Sequence, residues 1–161
     1  MEKTRARNTK TAINIFAVLK AALIKKLYLA KDRKRMSRKK IELEYEMNTM
    51  PRVLYKRLAT PEGLAAWFAE DVASDDGKIF SFLWHKEVSR AIVVESLENE
   101  YIRFQWEDDD EEDYFEFRIV QSDLSGNSSL RVTDFSDEEE YDDVVRLWNF
   151  QIEGLKRILA A

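Results

Sequence analysis

The sequence predicts an α+β domain: a curved seven-stranded antiparallel sheet wrapped on a long C-terminal helix, with two short helices after the first strand. Three observations carry this. From about residue 70 to residue 133, apolar and polar side chains alternate in runs separated by turn-forming clusters. The closing segment, "SDEEEYDDVVRLWNFQIEGLKRILAA", repeats apolar residues at spacings of three and four. A first alternating segment near residue 41 is followed by two apolar stripes long enough only for small helices.

The first strand is "IELEYEM", residues 41–47, with Ile41, Leu43, Tyr45 and Met47 on one face and three glutamates on the other. "NTMPRVLYKRLAT" then reads as a helix capped by Asn48 or Thr49, with Pro51 in its first turn and Val53, Leu54 and Leu58 as its apolar stripe. "TPEGLAAWFAEDV" opens a second helix with Thr60 as N-cap, Pro61 at the first position and Glu62 in the first turn. Leu64, Trp67 and Phe68 share one face of it by the three-and-four rule and point inward.

Six further strands are expected in "DVA", "KIFSFLW", "VSRAIVVESL", "YIRFQWED", "YFEFRIVQ" and "SLRVTDF", broken by "SDDG", "ENE", "DDDEED" and "DLSGNS". Short links make them an antiparallel meander. Alternation puts Phe80, Phe82, Trp84, Ile102, Phe104 and Trp106 on one face, joined by Phe115, Phe117, Ile119, Leu130 and Val132, an unusually aromatic surface. Arg103, Arg118 and Arg131 fall on the opposite, wet face, where Glu42, Glu44, Glu46 and Glu116 are their expected partners. The long helix begins with Ser136 and Glu139 in capping-box spacing. Tyr141, Val144, Val145, Trp148, Ile152, Leu155 and Leu159 form its stripe, which must lie on something apolar.

Composition sets limits on function. The chain has 161 residues, 45% of them apolar, and no cysteine, so disulfides, thiolate metal sites and cysteine nucleophiles are excluded. A single histidine, His85, removes multi-histidine metal sites and, lying at a strand end, reads as exposed and structural. No catalytic residue, metal site or cofactor is expected. The net charge of −5 conceals a split: residues 1–35 hold eleven basic and two acidic residues, for +9, and the remainder carries −14. A domain at −14 repels phosphates, so nucleic acid is not an expected partner.

Residues 1–36 are therefore expected to be a basic N-terminal extension and residues 37–161 the domain. Within the extension, "TAINIFAVLKAALIKKLYLA" is interrupted by Lys20 and then by Lys25 and Lys26, and no small-residue cleavage site follows. Neither an export signal nor a transmembrane segment is supported, and a cytoplasmic location is expected. At 100° per residue the three lysines point in different directions, so the stretch has no clean polar face for lying on a membrane. Met36 reads as the start of the domain and the leader as an upstream extension or dispensable tail; its rival is a basic membrane anchor.

The order of elements, with "ATPEGLAAWFAEDV" after the first helix, "VVESLENEYIRFQWEDD" in mid-sheet, "YFEFRIVQSDLSGNSSLRVTDF" and the helix "VVRLWNFQIEGLKRIL", resembles the START-like superfamily, also called SRPBCC, over residues 37–161. This is the helix-grip fold shared with the birch-pollen allergen, polyketide cyclases and heat-shock chaperone activators, and the chain looks most like small bacterial activator-like members. Trp67 and Phe68 stand where those proteins often carry a Trp-Phe pair, and Trp106 where they often end a strand with Trp. The resemblance implies the fold and a cavity between sheet and helix, without fixing a ligand.

The leading expectation is a domain that holds a hydrophobic or amphipathic small molecule or lipid in that cavity. Leu64, Trp67, Phe68, Phe80, Phe82, Trp84, Phe104, Trp106, Phe115, Phe117, Val144, Trp148 and Ile152 are the candidate lining. An enzyme is the less expected outcome. The alternatives are an interaction module that regulates a chaperone or other partner and, behind it, a cyclase or hydrolase of the same fold. The acidic runs 107–113 and 137–143 lack a calcium-loop pattern; they read as a solvated hairpin tip and a helix start, with docking of a basic protein, including the chain's own leader, as their other use.

Overall fold

The computed structural model describes residues 38–109 and 112–161, so the expectations for residues 1–36 lie outside it. Strand β1 (Arg38–Met47) leads into helices α1 (Pro51–Ala59) and α2 (Pro61–Ala65). Strands β2 (Asp71–Ser74), β3 (Ile79–Trp84), β4 (Glu87–Leu97), β5 (Tyr101–Trp106), β6 (Phe115–Gln121) and β7 (Ser128–Asp137) follow. A short 3-10 turn, Glu138–Glu140, then leads into α3 (Tyr141–Ala160). All seven strands belong to one antiparallel sheet in the order β1-β7-β6-β5-β4-β3-β2, so β7 returns across the molecule to pair with β1 along ten residues. This is the α+β arrangement that the periodicities predict, and the helix-grip fold that the resemblance implies.

Alternation works as expected along the sheet. Phe80, Phe82 and Trp84 of β3 are buried, whereas Ile79, Ser81 and Leu83 between them are only partly so. On the other face Arg103 and Arg118 both grip Glu116, at 2.8 and 2.9 Å, and Arg131 reaches Glu44 at 3.2 Å. Glu116 is only 5% exposed although it faces outward, because the guanidinium groups of Arg103 and Arg118 lie against it and stack in turn on Tyr114 and Tyr101. Burial acts to raise the Glu116 pKa, but the hydrogen bonds and charges of the two arginines outweigh it and hold the carboxyl below its ordinary value.

Several local expectations are corrected. Neither Asn48 nor Thr49 caps α1: the N-cap is Met50, with no side-chain hydrogen bond. Pro51 decides this, because the residue before a proline is pushed into extended backbone, and Met50 has φ −74° and ψ 144°. Leu54 and Leu58 are buried, but Val53 faces out. Thr60 caps α2 as expected, its Oγ1 accepting from Gly63 N at 3.0 Å. That helix ends at Ala65, however, and Trp67 and Phe68 sit in the turn beyond it, where Leu64 O accepts from both of their amides. The Ser136–Glu139 capping box is not made; Ser136 belongs to β7, and α3 starts only after the 3-10 turn.

The β3–β4 link is a two-residue hairpin turn, His85–Lys86, with φ of 43° and 69°. Both residues are left-handed, the requirement of a type I′ turn, which usually selects Asn-Gly. A His-Lys pair there gives no sequence signal.

The two short helices touch so closely that α2 needs glycine. A Cβ on Gly63 would overlap the Lys56 carbonyl oxygen and lie 2.7 Å from Arg57 Cα. Backbone cannot yield as a side-chain tip can, so Gly63→Ala is expected to cost about 2 kcal/mol, as overpacking in a close contact does. A matching fall in the urea midpoint at unchanged slope checks it.

Candidate functional site

Twelve of the thirteen candidate lining residues belong to the sheet, α3 or the turn at Trp67 and Phe68; Leu64 of α2 lies buried beneath that turn. All thirteen fall within one apolar cluster, where Trp67 and Trp106 are partly exposed and the rest are buried. Their density follows from register. Phe104 of β5 pairs with Phe115 of β6, so the two rings stack at 4.9 Å. Trp106 stacks on Phe115 at the same distance from the next inward position of β5. Phe80 and Phe82 meet Phe104 edge-on from β3, at 5.3 and 6.2 Å.

Phe68 occupies the middle of the space between sheet and helix. Its ring lies between Phe115 and Trp148, 5.9 Å from each and within 27° and 17° of parallel. Phe82, Trp84 and Phe117 meet it edge-on, at 5.2, 5.5 and 6.0 Å. Val144 and Ile152, one helical turn to either side of Trp148, are buried against the same sheet face. Thus the ring predicted to line a cavity lies in the middle of the space between sheet and helix.

Polar groups inside this box are few, and all were missed by sequence reasoning. Gln151 is 3% exposed and donates from Nε2 to Phe68 O at 3.1 Å. Trp84 Nε1 donates to the same carbonyl at 3.0 Å. Two side chains from opposite walls thus hold the backbone of the turn, and Trp67 Nε1 ties it to α1 through Arg57 O at 2.9 Å. Asp134 points inward from β7: Oδ2 accepts from Trp148 Nε1 at 2.9 Å and Oδ1 from Phe135 N at 2.8 Å. Although part of the residue touches solvent, its carboxyl is desolvated, which pushes the pKa up to about 6 against the lowering effect of those hydrogen bonds. Ser136, next on the same face, is fully buried and its Oγ has no hydrogen-bond partner among the described residues. The signal was available: Leu130, Val132, Asp134 and Ser136 are successive inward positions, and the alternation simply continues into polar residues.

His85 is exposed at its hairpin turn, away from the box. Among the described residues no group of three metal-ligating side chains comes together, and no helix is long and apolar enough to cross a membrane. An open cleft of about 640 Å³ lies at the end of the sheet nearest the start of α1, lined by Thr49, Pro51, Arg52, Asn99 and Asn127 among others, apart from the aromatic cluster.

A family model described as the START-like superfamily domain matches residues 35–161, covering the whole sheet and α3. The chain belongs to the START-like superfamily. Members of this superfamily often bind hydrophobic ligands. Among solved structures, the solution structure of BfR322 from Bacteroides fragilis is 40% identical, with a TM-score of 0.57, over 76% of this chain and 92% of that one. The Aha1 dimer from Colwellia psychrerythraea is 17% identical with a TM-score of 0.64, over 75% of this chain and 96% of that one. MLL2253 from Mesorhizobium loti is 15% identical with a TM-score of 0.63, over 76% and 97%. The last two likenesses are of fold alone. No curated protein matches the chain.

Proposed function

We propose that this START-like domain binds a hydrophobic or amphipathic small molecule between the sheet and α3, in the place held by Phe68. The observation that carries the reading is the way that ring is mounted. Phe80, Phe82, Trp84, Phe104, Trp106, Phe115, Phe117 and Trp148 stand on strands or on α3, whereas Phe68 and Trp67 stand on a turn between α2 and β2. A turn can swing away at a cost below that of global unfolding. When it does, the walls left behind are aromatic, and two donors are released, Trp84 Nε1 and Gln151 Nε2. The fitting ligand is therefore a flat apolar body with one acceptor group, such as a carbonyl or carboxylate, that takes over the bonds made by Phe68 O.

Because the occupied state is the resting one, binding carries a conformational penalty that removal of the ring relieves. Anilinonaphthalene sulfonate, an aromatic body with an acceptor head, is the probe. Phe68→Ala, confirmed as folded by its near-ultraviolet circular dichroism, is expected to bind it on the order of tenfold more tightly than the native chain. Native mass spectrometry of protein purified from its own host is expected to find a co-purifying apolar metabolite. A folded variant that binds the probe no better, together with an empty native protein, would turn the assignment toward the rival reading, an interaction module that regulates a chaperone or other partner. That rival is favoured by the exposed apolar residues on the outer side of the sheet. A cyclase or hydrolase has less to rest on, since the hydrogen-bond partners of Asp134 are an indole and a backbone amide.

A further inference from the structure

The outer face of the sheet is divided. Over β5, β6 and β7 it carries the Arg103–Glu116–Arg118 ion pairs with Tyr101 and Tyr114 stacked on the guanidinium groups. Over the β3–β4 hairpin it is largely apolar, interrupted midway by Ser81 and by Arg90, which reaches Glu107 at 3.4 Å. Leu83 pairs with Val88 and Ile79 with Ile92, all four pointing away from the aromatic box, and Val94 follows at the β-bulge between Val93 and Glu95. Val88, Ile92 and Val94 are 62%, 38% and 48% exposed. Acidic residues lie at its edges: Asp71, opposite Leu83 on β2, Glu107 just past β5, paired with Arg90 at 3.4 Å, and Glu95 beyond Val94 on β4 itself, paired with Arg103 at 3.6 Å.

We propose that this strip is covered by the chain's own leader, residues 11–30, which lies outside the described residues. Three observations select that occupant. The first is composition: the stretch "TAINIFAVLKAALIKKLYLA" holds three lysines and no acidic residue, within a segment of +9 joined to a domain of −14.

The second is the spread of the lysines. Lys20, Lys25 and Lys26 point in different directions on a helix, which does not suit a flat lipid surface. A narrow, largely apolar strip with Asp71 at one edge and Glu107 at the other can pair cations that leave the segment on both sides.

The third is reach. Arg38 starts β1 opposite Asp137, the last residue of β7, and the register carries that end of the sheet through the start of β6 and the end of β5 to the start of β4. The leader thus enters at the same end as the His85–Lys86 turn. Four strand spacings separate β1 from β4, about 19 Å. The seven residues 31–37 extend to about 23 Å, enough to cross the face.

The absence of native cysteine allows a clean test in the full chain. A nitroxide on A22C is expected to broaden the amide signals of Val88, Ile92 and Val94 at all protein concentrations while sparing the far edge at β1. The double substitution V88K/I92K, on exposed positions that leave the core intact, is expected to abolish that broadening while the spectrum keeps its dispersion. The proposal is overturned by any of three results: no broadening of those amides, broadening that grows with protein concentration and so arises between molecules, or broadening unchanged by V88K/I92K. Sedimentation of the full chain with phosphatidylglycerol vesicles, with the three amides unbroadened before and after, would show a membrane anchor instead.

Discussion

Phe68→Ala is expected to lower the unfolding free energy by about 3–5 kcal/mol, the cost of removing a large ring from a core that cannot close over the space. Phe68 is 4% exposed and sits within 6.0 Å, centroid to centroid, of six other rings. Those neighbours come from β3, β6, α3 and the turn itself, so no single element can shift to fill the gap. A domain has about 5–15 kcal/mol in all, so the variant should fold but melt well below the native protein. Because the Phe68 carbonyl is unchanged, the bonds from Trp84 and Gln151 keep the turn in place and the vacated volume keeps its shape. Indole or benzene should therefore raise the melting temperature of Phe68→Ala in proportion to the logarithm of its concentration and leave the native chain unmoved. A loss below about 1 kcal/mol would mean that the ring does not fill the gap. A full loss with no rescue would mean that the turn collapses, and the pocket with it.

That Phe68 stands in a turn, its ring amid those of the sheet and α3, was hidden in the sequence for a simple reason. Leu64, Trp67 and Phe68 fit helical spacing, and the same spacing serves a wall residue or a plug. What separates the two is where α2 stops. Close packing of Gly63 on the Lys56 carbonyl holds α2 against α1, and Leu64 O closes the turn by accepting from both Trp67 and Phe68, facts of tertiary contact that no local pattern carries. The strands were legible because a half-buried sheet imposes period two on every residue, and all seven appear where the alternation places them.

Two misses were of a different kind, because their physical cause is written in the sequence. Pro51 restricts its predecessor to extended backbone, which already makes Met50 the N-cap in place of Asn48 or Thr49. The inward row of β7 runs on from Val132 to Asp134 and Ser136, and strict alternation places both inside even though the row turns polar there. The His85–Lys86 turn had no such cue, since its left-handed backbone is imposed by the pairing of Trp84 with Glu87 on either side.

Asp134→Asn is expected to stabilise the protein above neutral pH and to leave it nearly unchanged near pH 4. The sign follows from the direction of the shift. Desolvation raises the Asp134 carboxyl to about 6 in the folded protein, from an ordinary 3.8, so between those values the folded state binds a proton that the unfolded state has lost. Stability is therefore fullest below the lower value and declines as pH rises through about 6, when the carboxylate must be charged inside the box. At 1.36 kcal/mol per unit the decline is at most about 3 kcal/mol, and the partial exposure of the residue reduces it toward about 1–2. Asparagine closely matches the protonated acid in shape, keeps an acceptor for Trp148 Nε1, and never ionises. Urea unfolding at pH 4.5, 6 and 8 should give the native chain a falling midpoint over this range and the variant a flat one, with the curves crossing near the acid end. Glu116 acts in the opposite sense: its pKa lies below the ordinary value, so its contribution is lost as pH falls through that lowered value, and this acid limb should appear equally in both proteins. If Asp134→Asn is the less stable protein at pH 8, the carboxylate is held by its two donors more strongly than desolvation opposes it. Asp134 would then be a fixed anion at the edge of the box, and the acceptor end of a ligand would have to lie away from it.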